Sequence, residues 1–212
     1  MGRPILCYVT DRNSLEAPAG RGREAALIER IHQVARAGVD WVQLREKDLE
    51  ARPLFDLASA AIATARGSEA KLLINDRLDV AWAAGAAGVH LGENSLPLGD
   101  VVRFKRRSDR ADFLVGASCH SLEAAVQAAR DGVDYIFFGP VFATPSKASF
   151  GAPQGLERVA EVCRRVSIPV LAIGGIDAGN AGACLQAGAA GIAAIRIFQQ
   201  PSELTAVLGA IR

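Results

Sequence analysis

An alternating run of polar side chains follows one short apolar segment of the chain. Gln43, Arg45 and Lys47 are spaced two residues apart, so on a β-strand all three would point to the same face. Two cations and an amide are costly to bury unless an anion meets them, and phosphate oxygens accept charge-assisted hydrogen bonds from such donors. The run therefore predicts a site for a phosphate-bearing ligand. Pairing with the neighbouring Glu46 and Asp48 at a solvated strand end stays open as the alternative.

Two further segments offer contacts to phosphate. Thr144, Ser146 and Lys147 place two hydroxyls and an ammonium on one loop. Gly174 and Gly175 follow an apolar strand, and a backbone without side chains lets amide N–H groups approach a ligand closely. A second phosphate contact is therefore expected at each segment, with a turn that binds no ligand as the alternative for the glycine pair.

Asp76 is the carboxylate best placed for a metal ion. It ends an apolar segment and stands among the cationic residues. Magnesium needs only one or two protein carboxylates when substrate phosphates supply other oxygens. Asp76 is therefore a candidate magnesium ligand, and a structural cap or a salt bridge to Arg77 remains the alternative.

Of the three histidines, His120 is the candidate general acid or base. It ends an apolar segment, and its neighbour Cys119 would point to the opposite face of a strand, which argues against a Cys-His dyad. His32 fits the surface of a helix, and His90 fits a buried strand position at which its ring nitrogens find hydrogen-bond partners inside the fold.

The segments that carry these residues belong to a weak internal repeat. In each copy, small apolar residues at helical spacing run into a glycine suited to end a helix, and a short apolar strand follows. The copies begin at Ala37, Ala84, Asp131 and Ala187, a period of about 50 residues. Further strand candidates between the copies are 5–10, 72–76, 113–118 and 170–174.

Eight βα units predict the α/β class and a single-domain (β/α)8 TIM barrel over residues 1–212. The strands are continuous apolar runs, as in parallel sheets buried on both faces. A doubly wound open sheet is the alternative, but it predicts a glycine-rich turn after the first strand, and residues 10–14 contain no glycine. In a barrel, the polar residues above would lie at the C-terminal ends of the strands, where barrel sites are found. The long connections 13–24 and 140–155 are candidate binding loops.

Composition narrows the class of protein. Half of the 212 residues are apolar, and 24 Lys and Arg against 23 Asp and Glu leave a net charge of +1. Such a balance argues against nucleic acid or a membrane surface as a partner, and no apolar run approaches the roughly 18 residues of a membrane span. Four widely spaced cysteines and the lack of a secretory signal predict a reduced, cytoplasmic protein. Formation of a homo-oligomer stays open.

Taken in order, six strand ends resemble the thiamine phosphate synthase and TenI superfamily over essentially the whole chain. The resemblance rests on residues 42–47, 74–77, 88–92, 118–121, 138–147 and 172–176. It implies a (β/α)8 barrel that joins hydroxymethylpyrimidine diphosphate to a carboxylated thiazole phosphate, with release of pyrophosphate and carbon dioxide.

The resemblance also implies roles for single residues. The pyrimidine diphosphate would be held by Gln43, Arg45, Lys47, Asn75, Ser118 and Lys147. The thiazole phosphate would contact Thr144, Ser146, Gly175 and Ile195, and Asp76 would bind Mg2+.

Two positions depart from the superfamily pattern. Ser95 stands where the synthase has a second metal carboxylate, with Glu93 nearby in sequence. Arg196 stands where a serine usually contacts the thiazole phosphate, and a guanidinium there would either bind that phosphate in a bidentate manner or crowd it.

Other activities remain open within this resemblance. A thiazole tautomerase would use a histidine at the position of His120, whereas Arg45, Lys47, Asn75 and Asp76 favour the synthase. A non-catalytic barrel that binds a phosphate ligand is a third reading, and a phosphate-binding barrel isomerase is a fourth.

Overall fold

Eight parallel strands close into a barrel in the computed structural model, which describes residues 2–16, 20, 22–144 and 152–211. Each strand pairs with its neighbours in sequence, and the first pairs with the eighth through Ile5 and Gly191. The strands are β1 (Ile5–Val9), β2 (Trp41–Leu44), β3 (Lys71–Asn75), β4 (Gly88–Leu91), β5 (Leu114–Cys119), β6 (Tyr135–Phe138), β7 (Val170–Ile173) and β8 (Gly191–Ala194). This architecture confirms the predicted single-domain (β/α)8 barrel.

Helices alternate with the strands and cover the outside of the barrel. They are α1 (Arg23–Arg36), α2 (Ala51–Ala65), α3 (Leu78–Ala83), α4 (Leu98–Arg107), α5 (Leu122–Asp131), α6 (Gly155–Arg165), α7 (Ala181–Gln186), α8 (Arg196–Gln199) and α9 (Pro201–Ile211). Within the described residues, none is long and apolar enough to cross a membrane.

The strand residues divide between two cores. Side chains such as Leu6 and Tyr8 point outward and pack with the helices. Alternate residues, among them Cys7 and Val9, fill the barrel interior together with Phe137. Because successive side chains of a strand point to opposite faces, burial on both faces requires the continuous apolar runs seen in the sequence.

The predicted helix-to-strand junctions are present in all four copies of the repeat. Gly132 ends α5 with a left-handed backbone, φ 87°, and its N–H bonds to the carbonyl of Ala128. The equivalent Gly38, Gly85 and Gly188 also have positive φ. A residue with no Cβ takes this conformation at little cost, so in these four copies glycine turns the chain from the helix into the next strand.

The prediction that Gln43, Arg45 and Lys47 all lie on one strand is wrong for the last two. β2 ends at Leu44, because the N–H of Arg45 donates to the Thr10 hydroxyl, at 2.9 Å, in place of a strand carbonyl. Arg45 and Lys47 therefore belong to the loop before α2, and they still open on the same cavity as Gln43.

Candidate active site

Two adjoining cavities lie at the C-terminal ends of the strands. The first, of about 290 Å3, is called here the β2–β5 cavity and is lined by Gln43, Arg45, Lys47, Asn75, Asp76, Gly92, Glu93, Asn94, Ser118, His120 and Phe137. The second, of about 220 Å3, is called the β7–β8 cavity and is lined by Ser14, Thr144, Gly174, Gly175, Ile176, Ala194 and Arg196. Asp11, Ile173 and Ile195 line both, so the cavities share a wall.

A partly buried network of hydrogen bonds connects the end of β1 to the end of β2. Glu46 accepts hydrogen bonds from the Thr10 hydroxyl at 2.5 Å and from the Arg12 guanidinium at 3.0 Å. The same guanidinium donates to both carboxylate oxygens of Asp48, at 2.6 and 2.8 Å. Arg12 also holds the pKa of Asp48 down at about 2 through these hydrogen bonds.

Because of this network, the acidic neighbours of Arg45 and Lys47 in sequence do not pair with them. Glu46 and Asp48, the acidic neighbours in sequence, are paired with Arg12 instead. No ion pair among residues 2–16, 22–144 and 152–211 includes Arg45 or Lys47. Two cations that open on one cavity favour an anionic ligand there.

The amides of Gln43 and Asn75 are joined across β2 and β3. Gln43 is 2% exposed, and its Nε2 donates to Asn75 Oδ1 at 2.9 Å. The bond sets the orientation of both amides, so Asn75 presents its NH2 donors rather than its carbonyl to further partners.

Asp76 has the backbone conformation of a sharp turn, with φ 67°. Its N–H donates to the carbonyl of His90 at 2.8 Å, and the Ser95 hydroxyl donates to its carboxylate. Ser95 in turn accepts a hydrogen bond from the N–H of Gly92 at 2.7 Å. The side chain three residues after Gly92 thus lies next to the Asp76 carboxylate.

Arg77 does not pair with Asp76. Its guanidinium binds the Asp79 carboxylate at 2.5 Å, which lowers the pKa of Asp79. Asp76 shares the β2–β5 cavity with the carboxylates of Glu93 and Asp11. A cluster of three or more His, Cys, Asp or Glu side chains arranged to hold a metal is not found in the part of the chain that the structure describes.

The histidines fall into separate environments. His120 lines the β2–β5 cavity, and its Nδ1 donates to the carbonyl of Gly139, since a carbonyl can only accept. Cys119 lies on the other face of β5 in the outer core, and burial raises its pKa to about 12, which excludes a Cys-His dyad. His90 is buried in the barrel with both ring nitrogens hydrogen-bonded, as the sequence suggests. His32 lies on α1 and contacts the Thr64 carbonyl.

The β7–β8 cavity is built largely from backbone. Gly174 and Gly175 have φ values of 98° and 67°. A Cβ on Gly175 would lie 2.7 Å from the Cβ of Phe142 and 2.8 Å from the carbonyl oxygen of Ala143. Only glycine fits this turn, which leaves main-chain groups at the cavity wall. Arg196, the first residue of α8, adds an exposed guanidinium.

The first loop of the barrel lines the β7–β8 cavity through Asp11 and Ser14; the connection 13–24 was a candidate binding loop, but its contact with Gln199 was not predicted. Gln199 is 8% exposed and donates to the carbonyl of Asp11 at 2.9 Å. The hydroxyl of Ser14 donates to Gln199 Oε1 at 3.2 Å. Position 199 is at the far end of the chain from this loop, so no local pattern could have revealed the contact.

Thr144 lines the β7–β8 cavity as expected. Ser146 and Lys147, predicted to contact phosphate from the same loop, lie outside the described residues. Every other predicted site residue opens on one of the two cavities.

A family model described as thiamine monophosphate synthase matches residues 6–198. The chain belongs to the thiamine monophosphate synthase family. A thiamine-phosphate synthase of Methanoculleus marisnigri is 43% identical over 98% of this chain and 93% of the relative. One of Roseiflexus castenholzii is 42% identical over 92% of this chain and 80% of the relative.

A solved structure in this family supports the same assignment. The thiamine phosphate pyrophosphorylase from Pyrococcus furiosus superposes with a TM-score of 0.82 at 29% identity, over 98% of this chain and 95% of that chain. The resemblance drawn from the six strand ends is therefore confirmed at the level of the family and the fold.

Proposed function

We propose that this protein is a thiamine-phosphate synthase, which condenses hydroxymethylpyrimidine diphosphate with thiazole carboxylate phosphate. The observation that carries the proposal is the pair of adjoining cavities that share Asp11, Ile173 and Ile195. One cavity presents two cations that form no ion pair within the described part of the chain, and the other presents a glycine backbone with a guanidinium. Two phosphorylated substrates bound side by side would bring their reacting atoms together at the shared wall.

The β2–β5 cavity would bind the pyrimidine diphosphate. Arg45 and Lys47 would contact the diphosphate, with the linked amides of Gln43 and Asn75 and the hydroxyl of Ser118 beside them. As the carbon–oxygen bond breaks, its electron pair leaves on pyrophosphate, and fixed cations stabilise that charge. Lys147 is proposed to contribute in the same way.

The β7–β8 cavity would bind the thiazole phosphate. Its proposed contacts are Thr144, Ser146, Gly174, Gly175, Ile195 and Arg196. The thiazole nitrogen then supplies the electron pair of the new carbon–nitrogen bond, and carbon dioxide leaves from the carboxylated ring. The protein provides no nucleophile in this scheme, because positioning and electrostatic stabilisation carry the reaction.

The donor set of the β2–β5 cavity fits a magnesium ion that the substrate helps to bind. Asp76 would be the protein ligand, Glu93 opens on the same cavity, and Ser95 supplies only a neutral hydroxyl next to Asp76. Magnesium bound by one or two carboxylates commonly takes its remaining oxygens from substrate phosphates and water. Such an ion would add positive charge near the leaving pyrophosphate.

A product assay tests the proposal. Purified protein is incubated with both substrates and Mg2+, with and without a chelator, and thiamine phosphate is followed by chromatography. We expect product that disappears on chelation. Product that persists with chelator would exclude the metal and leave the synthase.

Absence of product would overturn the synthase. Isomerisation of the thiazole carboxylate phosphate alone, abolished in His120→Asn, would then identify a tautomerase. Calorimetric binding of the substrates without any conversion would instead identify a non-catalytic phosphate-binding barrel.

A further inference from the structure

Three polar side chains, those of His90, Ser118 and Tyr135, form a line across β4, β5 and β6 inside the barrel. His90 on β4, Gly116 on β5 and Tyr135 on β6 are partners in the strand register, and Ser118 lies two residues further along β5. A Cβ on Gly116 would overlap the Tyr135 ring. Glycine at this position therefore makes the space in which a tyrosine can reach across β5 to His90.

Hydrogen bonds connect this line to the β2–β5 cavity. The Tyr135 hydroxyl lies 3.1 Å from His90 Nδ1, and His90 Nε2 lies 2.9 Å from the Ser118 hydroxyl oxygen. Tyr135 is fully buried, His90 is 1% exposed, and Ser118 lines the cavity. The chain of bonds thus runs from the closed interior to the ligand side.

The direction of the bonds follows from what a buried phenol requires. Burial raises the pKa of Tyr135 well above its usual range, so the hydroxyl keeps its proton. Among the described residues, His90 Nδ1 is its hydrogen-bond partner. A buried O–H without an acceptor is costly, whereas an unused lone pair costs less, so the phenol donates to Nδ1.

A neutral imidazole that accepts at Nδ1 carries its proton on Nε2. Nε2–H then donates a hydrogen bond to the Ser118 hydroxyl oxygen. The oxygen uses one lone pair for this bond, so the hydroxyl proton of Ser118 is free to donate to a different acceptor. The opposite tautomer would turn the Ser118 proton back towards His90. The tautomer of His90 therefore decides whether Ser118 presents a hydrogen-bond donor or a lone pair to the cavity.

We propose that Tyr135 and His90 are positioning residues that hold Ser118 as a hydrogen-bond donor towards phosphoryl oxygen in the β2–β5 cavity. The proposal rests on the proposed function, which places a diphosphate in that cavity. Phosphoryl oxygens only accept hydrogen bonds, so a serine locked as donor is ready for them without reorganisation on binding.

The tautomer can be measured directly, without any substrate. Long-range proton–nitrogen NMR spectra of the 15N-labelled protein distinguish protonated from unprotonated ring nitrogens, and His32→Gln and His120→Gln assign the three histidines. We expect His90 to carry its proton on Nε2, and Tyr135→Phe to introduce the Nδ1-protonated form. A wild-type protein with His90 protonated on Nδ1 would overturn the proposal.

Binding of inorganic pyrophosphate with Mg2+, measured by calorimetry, tests the consequence. Ser118→Ala should weaken binding by about 10-fold, and Tyr135→Phe by about 3- to 10-fold, as for hydrogen bonds to charged groups. In the Ser118→Ala background, Tyr135→Phe should change affinity by less than about 2-fold, because the serine through which it acts is gone.

The other tyrosine of the chain supplies the matched control. Tyr8 is fully buried, and its hydroxyl has no hydrogen-bond partner among the described atoms. Tyr8→Phe removes an equivalent buried oxygen and should leave pyrophosphate affinity unchanged. An equal loss from Tyr135→Phe with and without Ser118 would show a merely structural role and overturn the proposal. Failure to form thiamine phosphate would instead count against the proposed function. The double-mutant cycle of Ser118→Ala and Tyr135→Phe could still be interpreted, because it measures only pyrophosphate binding.

Discussion

The two cavities share a wall, but polar side chains line one of them and main-chain groups line much of the other. The β2–β5 cavity presents side chains, with the cations of Arg45 and Lys47 and the amides of Gln43 and Asn75. The β7–β8 cavity presents the turn of Gly174 and Gly175 and the guanidinium of Arg196. In the β2–β5 cavity, ligand contacts depend on the neighbouring residues that position each side chain. In the β7–β8 cavity, they depend on the shape of the main chain.

This contrast has a physical reason. Cationic side chains that are already in place stabilise a charge that grows as a bond breaks, because they need no reorganisation during the reaction. Main-chain donors in a glycine turn are fixed in place, so they suit a phosphate that is held but does not react. Substitutions in the two cavities should therefore affect different substrates.

The largest effect is expected from Arg45→Ala. Loss of this guanidinium should lower kcat/KM for the pyrimidine diphosphate by about 10²- to 10³-fold, because charge on the leaving group loses a fixed donor. The KM for the thiazole phosphate should stay within about 2-fold if the cavities act separately. Steady-state kinetics with each substrate varied in turn measures both.

Arg52→Ala is the matched control for Arg45→Ala. Arg52 is an exposed arginine of α2 that pairs with Asp56. Its loss should leave both kinetic constants near wild type. A comparable drop in the control, or a normal kcat/KM in Arg45→Ala, would contradict the assignment of the diphosphate to the β2–β5 cavity.

Gly175→Ala should damage the other cavity. The new Cβ would meet Phe142 and Ala143 at 2.7 to 2.8 Å, and the backbone has φ 67°. We expect stability to fall by about 1–3 kcal/mol, since the left-handed turn becomes strained. The KM for the thiazole phosphate should rise by about 10-fold or more as the turn moves. Urea unfolding and kinetics test the two effects.

Gly182→Ala separates a cavity effect from a general loss of glycine. Gly182 lies in α7, and a Cβ there would meet nothing within 4 Å. Alanine should stabilise the helix by about 0.5–1 kcal/mol with no kinetic change. If Gly175→Ala behaves in the same way, the glycine turn does not shape the binding site.

Ser95→Asp should strengthen the proposed binding of a divalent cation in the β2–β5 cavity without affecting the β7–β8 cavity. A second carboxylate next to Asp76 would raise the negative charge offered to a divalent cation, so we expect Mn2+ to bind about 10-fold more tightly. Electron paramagnetic resonance titration measures free Mn2+ without reference to turnover. Ser108→Asp, at the end of α4, adds the same charge away from the cavity and should not change the titration.

The smallest effect concerns the network that holds the end of β2. The pKa of Asp48 is lowered from 3.8 to about 2 by Arg12, so its contribution to stability is present above pH 4. That contribution is lost as pH falls from 3.8 towards 2, because in this range the unfolded chain takes up a proton at Asp48 while the folded state still keeps the carboxylate charged. Asp48→Asn should flatten this part of the pH dependence of urea unfolding.

Asp56→Asn, another exposed carboxylate paired with an arginine, serves as the control for Asp48→Asn. An acid limb that is unchanged in Asp48→Asn would mean that the Arg12 pair does not persist in solution. Another explanation would then be needed for why Arg45 and Lys47 form no ion pair with Asp48.

Most of the fold could be predicted from local signals. A glycine that ends a helix, followed by a short apolar strand, identified four of the strands, and apolar runs between the copies identified the others. The end of β2 could not be predicted, because it depends on the Thr10 hydroxyl taking the N–H of Arg45. Periodicity in one strand contains no information on a side chain from its neighbour.

The sequence predicted many residues of the candidate site but few of the hydrogen bonds and ion pairs between them. Gln43 was expected on the cavity from its strand end and Asn75 and Ser118 from the family resemblance, and all three lie there. The pairing of Arg12 with Glu46 was not foreseen, although both follow strand ends. Tyr135 appeared in the sequence only as one apolar strand residue.

The sequence by itself determined which residue types stand at the ends of the strands and, through its repeat, that the strands are eight and parallel. Tertiary structure alone decided which carboxylate pairs with which cation and which hydroxyl reaches which imidazole. The reason is that barrel closure places β1 between β8 and β2, and β5 between β4 and β6. Such lateral neighbours are far apart in the chain, and their side chains choose partners by distance and direction.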